Sequence, residues 1–286
     1  MSLEVPGAGR LCAADWEKVL ACPSTLAETP GRVLKEQARH RVVAAAVTAG
    51  GRRIEAVVKR HSYGPALPDL FRRLQSPKAR RNFKTAVKLL TAGIPAAFPL
   101  AALWRRRFFF TSHSVYLSQY LTDGCTLYDL AAGMPSAAAA AAGSVDGPVG
   151  AAARRRLCRN LAVILADLHR SGLYHRDSKA SNFMVRCEEN GFPEVVLVDL
   201  DGIKRHRSRG GRRWRSLWRL AASLLSVRRV NRADYLRTFL CYCNLTGVAE
   251  PARRSLYRML AGRARARHDR SMAKTAAGSS DYARTS

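Results

Sequence analysis

Gly172-Leu173-Tyr174-His175-Arg176-Asp177-Ser178-Lys179-Ala180-Ser181-Asn182-Phe183-Met184-Val185 is the stretch whose reading decides the rest of this 286-residue chain. Seventeen residues after Asn182 comes Asp199, within Val198-Asp199-Leu200-Asp201-Gly202. The first stretch puts a carboxylate, a lysine and a carboxamide on one tight loop between apolar runs. The second puts a carboxylate at the end of a Val/Leu strand. Phosphoryl transfer needs little else. A carboxylate near the attacking hydroxyl orients it and accepts its proton, and a nearby cation offsets charge on the phosphoryl oxygens. An Asn and an Asp hold Mg²⁺ on the nucleotide phosphates.

His175 to Asn182 fits H-R-D-x-x-x-x-N, the catalytic-loop pattern of protein kinases, with Ser178 in place of Leu. His, Arg and Asp adjoin easily by chance in an Arg-rich chain, so context decides. An apolar helical run precedes the loop, the Asn lies at the required offset, and an apolar-flanked Asp follows. The pattern is therefore read as a kinase-type site.

Upstream, Arg41-Val42-Val43-Ala44-Ala45-Ala46-Val47-Thr48 and Ile54-Glu55-Ala56-Val57-Val58-Lys59 flank Gly50-Gly51, which predicts a β-hairpin. Lys59 closes an apolar strand as in V-A-I-K, whose lysine holds the α- and β-phosphates of a nucleotide. No glycine-rich phosphate loop precedes it: the span 32–47 contains no glycine. Residues 77–92 read as a helix with Ala79, Phe83, Ala86, Val87 and Leu90 on one face, closed by Gly93 and Pro95. In protein kinases that helix supplies a glutamate to the strand lysine. Here it has no acidic residue, and Asn82 is the nearest polar substitute, able to accept one hydrogen bond from an ammonium.

Residues 98–103 and 108–120 are strand-like, and the second leads through Tyr120 and Leu121 towards a second lobe. Residues 131–153 are a low-complexity Ala/Gly/Pro/Ser insertion. Residues 154–170 return to helical spacing, with Leu157, Leu161, Ile164, Leu165 and Leu168 on one face, and residues 194–200 read as a buried strand. Beyond Asp199, Arg205, Arg207, Arg209, Arg212, Arg213 and Arg215 make a basic run where a protein kinase keeps its activation segment, and no A-P-E anchor follows. Helices are expected over 219–230, 233–245 and 252–270, and 271–286 reads as a disordered tail. The organisation is thus an N-terminal appendage (1–30), a small β-rich lobe (31–120) and a larger helical lobe (121–270). The fold class is α+β, bilobal and protein-kinase-like.

Lys and Arg total 49 against 21 Asp and Glu, a formal charge of +28, and only nine of the 49 are lysines. The arginine guanidinium grips phosphate and carboxylate bidentately, which suits an anionic partner: nucleic acid, an anionic membrane face, or an acidic glycolipid. Codon bias is a second reason for arginine over lysine, since alanine is over-used too. No nucleic-acid recognition module is present, so nucleic acid is the weakest of the three. No apolar run reaches about 18 residues, the N-terminus does not read as a signal peptide, and nothing reads as a membrane span. The seven cysteines (12, 22, 125, 158, 187, 241, 243) are scattered without a C-x-x-C pair, which speaks for a reducing cytosol rather than a disulfide framework.

Over about 30–265 the chain resembles the Kdo/WaaP family of lipopolysaccharide kinases. The resemblance rests on Val57-Val58-Lys59-Arg60, on Ala79-Arg80-Arg81-Asn82-Phe83 running into Ala92-Gly93-Ile94-Pro95, on Tyr174 to Val185, and on Leu197 to Gly202. Asp-Leu-Asp in place of Asp-Phe-Gly, the basic segment after it and the missing A-P-E are similar to that family. The resemblance implies ATP- and Mg²⁺-dependent phosphorylation of a sugar hydroxyl, Kdo or heptose, in the lipopolysaccharide inner core. It also implies a peripheral place at the cytoplasmic face of the inner membrane. It makes Asp177 the base, Lys179 a γ-phosphate contact, Asn182 and Asp199 the metal ligands, and Lys59 the nucleotide lysine. The rival readings are a protein or small-molecule kinase with the same site, and a catalytically silent kinase-like binding module.

Overall fold

The computed structural model describes residues 3–5, 9–11, 31–49, 51–63, 75–107, 110–134, 151–187, 193–205 and 211–282. The chain divides into two compact units, Met1–Thr122 and Asp123–Ser286.

The first unit opens with a short hairpin, β1 (Leu3–Val5) and β2 (Gly9–Leu11). Its main body is a five-stranded antiparallel sheet in the order β3-β4-β5-β7-β6. The strands are β3 (Arg32–Gln37), β4 (His40–Ala49), β5 (Arg52–Ser62), β6 (Pro99–Arg107) and β7 (Phe110–Gln119). The expected hairpin is β4–β5, and Gly51 in its turn has φ of 72°, a conformation that costs a glycine nothing. Alternate residues Val47, Ala49, Ile54, Ala56 and Val58 join Leu100, Ala101, Val115 and Leu117 in one buried cluster. With a side-chain period of two, Lys59 falls on the opposite face, between its cross-strand partners Val42 and Tyr116. Lys59 is itself buried.

Helix α1 (Lys78–Thr91) joins β5 to β6 and packs on β6 and β7. Its buried residues are Ala79, Asn82, Ala86 and Leu89. The inward face is therefore rotated from the expected one: Phe83, Val87 and Leu90 flank it, half-buried. Gly93, with φ of 71°, ends the helix where the sequence placed its stop.

The second unit begins with β8 (Gly124–Thr126) and α2 (Leu127–Ala132), whose first turn is capped by the Thr126 hydroxyl accepting the Asp129 N–H at 3.1 Å. There follow α3 (Ala151–Arg170), β9 (Leu173–His175), β10 (Phe183–Cys187), β11 (Pro193–Leu197), β12 (Ile203–Arg205), α4 (Arg212–Ala222), α5 (Arg232–Thr246) and α6 (Glu250–Tyr282). Strand β10 pairs antiparallel with both β8 and β11, and β12 pairs with β9. Helix α3 buries Leu161, Ile164, Leu165 and Leu168 of its expected stripe. Leu157 is only half-buried.

Several sequence expectations change here. The strand before Asp199 stops at Leu197, and residues 200–202 form a single 3₁₀ turn. The helix expected over 219–230 instead begins at Arg212 and ends at Ala222, so Arg212, Arg213 and Arg215 belong to a helix. Arg207, Arg209 and most of the low-complexity insertion lie outside the described residues. Helix α6 continues through Tyr282, into the stretch read as a disordered tail. Between Leu127 and Arg265 the helices enclose a cavity of about 740 Å³, lined by Leu161, Leu165, Leu224, Phe239 and Leu260 and by the exposed Arg229, Arg232 and Arg265. Among the described residues no helix is long and apolar enough to cross a membrane.

Candidate active site

The loop after β9 is held by its own backbone. Lys179 N–H donates to the Asp177 carbonyl at 2.9 Å, and Asn182 N–H donates to the Lys179 carbonyl at 2.9 Å. The Asn182 side-chain amide donates to the Asp177 carbonyl at 2.8 Å, which leaves Oδ1 as the oxygen it can offer outward. Val198 N–H donates to the Asn182 carbonyl at 3.2 Å and so ties the loop to the Asp199 segment. Asp177, Lys179, Asn182 and Asp199, singled out from sequence, are thus brought together in one unit. Ser178 is fully buried where the kinase pattern has a leucine, and its hydroxyl has no partner among the described residues.

His175 fixes the spacing between the two segments. The Asp177 N–H donates to its Nδ1 at 3.2 Å, so the proton belongs on Nε2, which donates to the Asp199 carbonyl at 2.9 Å. The ring is fully buried, and Gly202 is the residue that leaves it room. A Cβ at Gly202 would stand 2.6 Å from Nδ1 and closer still to Cε1. Arg176 N–H donates to the Gly202 carbonyl at 2.7 Å, extending the β9–β12 ladder to the edge of the site.

Helix α4 and the residue after it grip the loop from behind. Ser216 accepts the His175 N–H at 3.1 Å and donates to the His175 carbonyl at 3.2 Å. Arg219 Nη1 donates to the Arg176 carbonyl at 2.7 Å and lies 3.6 Å from Asp177 Oδ1. Ser223 accepts the Ala180 N–H at 2.9 Å. These residues stand at i, i+3 and i+7, one face of a helix. Behind Ser216 lies His169, whose Nε2 is 3.3 Å from the Ser216 hydroxyl and whose Nδ1 is 2.7 Å from the Tyr242 hydroxyl. Because the Ser216 hydroxyl donates its proton to the His175 carbonyl, it accepts from His169 Nε2–H, which leaves Nδ1 to accept from the Tyr242 phenol, itself pushed up to about 12 by burial. The donors then run in one direction, from Tyr242 through His169 and Ser216 to the His175 carbonyl. None of Ser216, Arg219, Ser223, His169 or Tyr242 was singled out from sequence. The available signal was Ser216, Arg219 and Ser223 at helical spacing, hidden by the surrounding arginines.

Trp214 and Trp218, four apart in α4, are both half-buried. Trp214 meets Tyr242 edge to face at 6.1 Å and carries Arg213 over its ring at 4.2 Å. Trp214 packs against protein, and Arg213 is engaged rather than freely solvated. Arg212 and Arg215 are exposed.

In the first unit, Lys59 and Asn82 are both buried, at 8% and 4% exposure. A lysine is almost never so buried without a counterpart or a ligand-binding task. Where kinases carry a glycine-rich loop, β3 and β4 are joined by the two residues Ala38 and Arg39. The described residues of this hairpin confirm that its turn contains no glycine.

Asn182 Oδ1 and the Asp199 carboxylate are hard oxygen donors, the set that Mg²⁺ takes alongside phosphate oxygens. The Asp199 carboxylate accepts the Asp201 N–H at 3.4 Å. The donor set would suit a divalent cation, which would supply charge neutralisation there.

The two units together have the α+β, bilobal, protein-kinase-like fold: an antiparallel N-terminal sheet with one helix, and a helical C-terminal part. The sequence model of the Lipopolysaccharide kinase (Kdo/WaaP) family matches residues 25–242, so the chain belongs to that family of phosphotransferases. Among solved structures, the chain is similar to "WaaP in complex with acyl carrier protein", with a TM-score of 0.60 and 20% identity over 84% of this chain and 90% of that one. It is also similar to "Crystal structure of BubR1 kinase domain", with a TM-score of 0.48 and 13% identity over 80% and 77% of the two chains. No curated protein sequence matches it.

Proposed function

We propose that this protein transfers the γ-phosphoryl group of ATP to a sugar hydroxyl, of Kdo or heptose, in the lipopolysaccharide inner core. It would do so as a peripheral protein at the cytoplasmic face of the inner membrane. The observation that carries this reading is the built loop of a lipopolysaccharide-kinase family member, with Asp177 held beside Lys179, Asn182 and the Asp199 segment. Asp177 orients the acceptor hydroxyl and accepts its proton. Lys179 contacts the γ-phosphate, Asn182 and Asp199 hold Mg²⁺, and Lys59 holds the nucleotide phosphates with Asn82 as its polar neighbour. Bound Mg²⁺ supplies charge neutralisation on the phosphates. The arginine excess favours an anionic glycolipid acceptor and an anionic membrane surface over a neutral substrate.

Asp177→Asn keeps the side chain's shape and removes the base. Turnover should fall by about 10²–10⁴-fold while ATP affinity stays near wild type. Chelating divalent cations with EDTA should stop transfer altogether. Near-normal turnover in Asp177→Asn, or transfer untouched by EDTA, contradicts the assignment.

A second reading concerns a partner. The neighbouring WaaP structure was solved with acyl carrier protein. The cavity in this chain has apolar walls suited to an acyl chain and exposed arginines suited to an acidic protein. Thermal-shift titration with acyl carrier protein tests this, comparing acylated and unacylated forms. Stabilisation by the acylated form alone supports an acyl-chain site, and no shift with either form removes it.

A further inference from the structure

Asp177 stands between two cations that differ in kind. Lys179 Nζ lies 3.3 Å from Oδ2, and its side chain is 53% exposed. Arg219 Nη1 lies 3.6 Å from Oδ1, with its side chain only 12% exposed. That same nitrogen is anchored on the Arg176 carbonyl, one residue before the aspartate. A lysine on an exposed four-carbon stem turns freely, whereas a half-buried guanidinium bonded to main chain is held. Burial pushes the Arg219 guanidinium below its ordinary value. Asp177 opposes that push, while Arg267, Arg215 and Arg176 reinforce it. Among these charges Asp177 is the one that favours the charged arginine.

We propose that Arg219 is a positioning residue for phosphoryl transfer: it pins Asp177 through Oδ1 and leaves Oδ2 as the oxygen that takes the acceptor's proton. This rests on the kinase reading above. In the resting arrangement Lys179 covers Oδ2, and it uncovers that oxygen when it turns to the γ-phosphate. The acceptor O–H bond then breaks, its proton passes to Oδ2, and its oxygen bonds to the γ-phosphorus. The bond from the γ-phosphorus to the β,γ-bridging oxygen breaks, and ADP leaves. Arg219 makes and breaks no bond in this step. Its part is to stop the carboxylate rotating when Lys179 departs.

A double-mutant cycle on the full chain tests this, with ATP, Mg²⁺ and phosphate-free lipopolysaccharide inner core as the acceptor. Displacing a reacting group by about 1 Å costs up to about 10²-fold, so R219Q should lower kcat by about 10–100-fold. KM for ATP should stay within about twofold, the signature of an interaction used in the chemical step. R219K retains a charge but carries it on a shorter, more freely turning side chain, so it should recover part of the loss. In the D177N background R219Q should do nothing further, because its route to the chemistry is gone. An equal loss from R219Q in both backgrounds marks a merely structural arginine and overturns the proposal, as does an unchanged kcat. If D177N itself turns over normally, the base assignment fails first, and that result is distinct from the other two. Should melting curves show R219Q unfolded, R219K carries the same cycle: a several-fold loss with Asp177 present and none without it supports the pinning role, and equal losses overturn it.

Discussion

Asp234 shows how much a single carboxylate can carry outside the chemistry. It caps α5 through reciprocal hydrogen bonds with Asn231 and is met by Arg154 of α3, whose Nε lies 3.0 Å from both carboxylate oxygens. Burial alone would push the Asp234 carboxyl up. The hydrogen bond from Arg154, the Asn231 N–H and the charges of Arg154 and Arg237 outweigh burial and hold it below its ordinary value. Its folded-state value therefore lies below its unfolded one of about 3.9, so the stabilisation is fully present above about pH 4 and fades as pH falls through the folded value. Asp234→Asn should cost about 1–3 kcal/mol at pH 7, measured by denaturant unfolding, with part of the ion pair discounted for solvent at Arg154. The gap between wild type and variant should narrow as the pH drops below 4. A gap that stays constant with pH would show that the carboxylate's charge contributes nothing. At this scale the sequence was most informative about chemistry and least about support. That Asp177, Lys179, Asn182 and Asp199 would come together in one unit was legible from their spacing. Asp234, Ser216 and Arg219 were not, since each acts through a residue 80 or about 40 positions away, and no local pattern encodes that distance.

The elements were read best where periodicity and punctuation agreed. The β4–β5 hairpin has its glycine turn, α1 ends at Gly93 before Pro95, and α3 buries an apolar stripe at helical spacing. Helix α4 was misread because its charge dominates its composition. Arg212, Arg213 and Arg215 read as part of a basic run preceding a helix at 219, yet they open the helix, the following Ser216, Leu217 and Leu220 are buried, and the helix sits against β9. Amphipathic segments rich in arginine fold as helices readily, because arginine is a good helix former and its stem covers apolar surface. The short strands β9, β10 and β12 were missed for the opposite reason. Three to five residues are too few for an alternation to register, and their place is set by partners far along the chain.

At the scale of the molecule, the charge of +28 and the kinase-like fold answer different questions. The fold fixes what the site can do, and the charge bears on what it does it to. Two departures from the protein-kinase pattern, the glycine-free β3–β4 turn and Asn82 at a helix position where kinases carry glutamate, both lie in the first unit. Neither touches the loop proposed to handle the acceptor. The most direct measurement offers the protein radiolabelled ATP and Mg²⁺ with two acceptors in one tube, phosphate-free lipopolysaccharide inner core and a mixed peptide library. Label should pass to the inner core, on a sugar hydroxyl as fragmentation mass spectrometry locates it, with the peptides unlabelled. Label in the peptides and none in the inner core, or no label in either, would contradict the proposed glycolipid kinase.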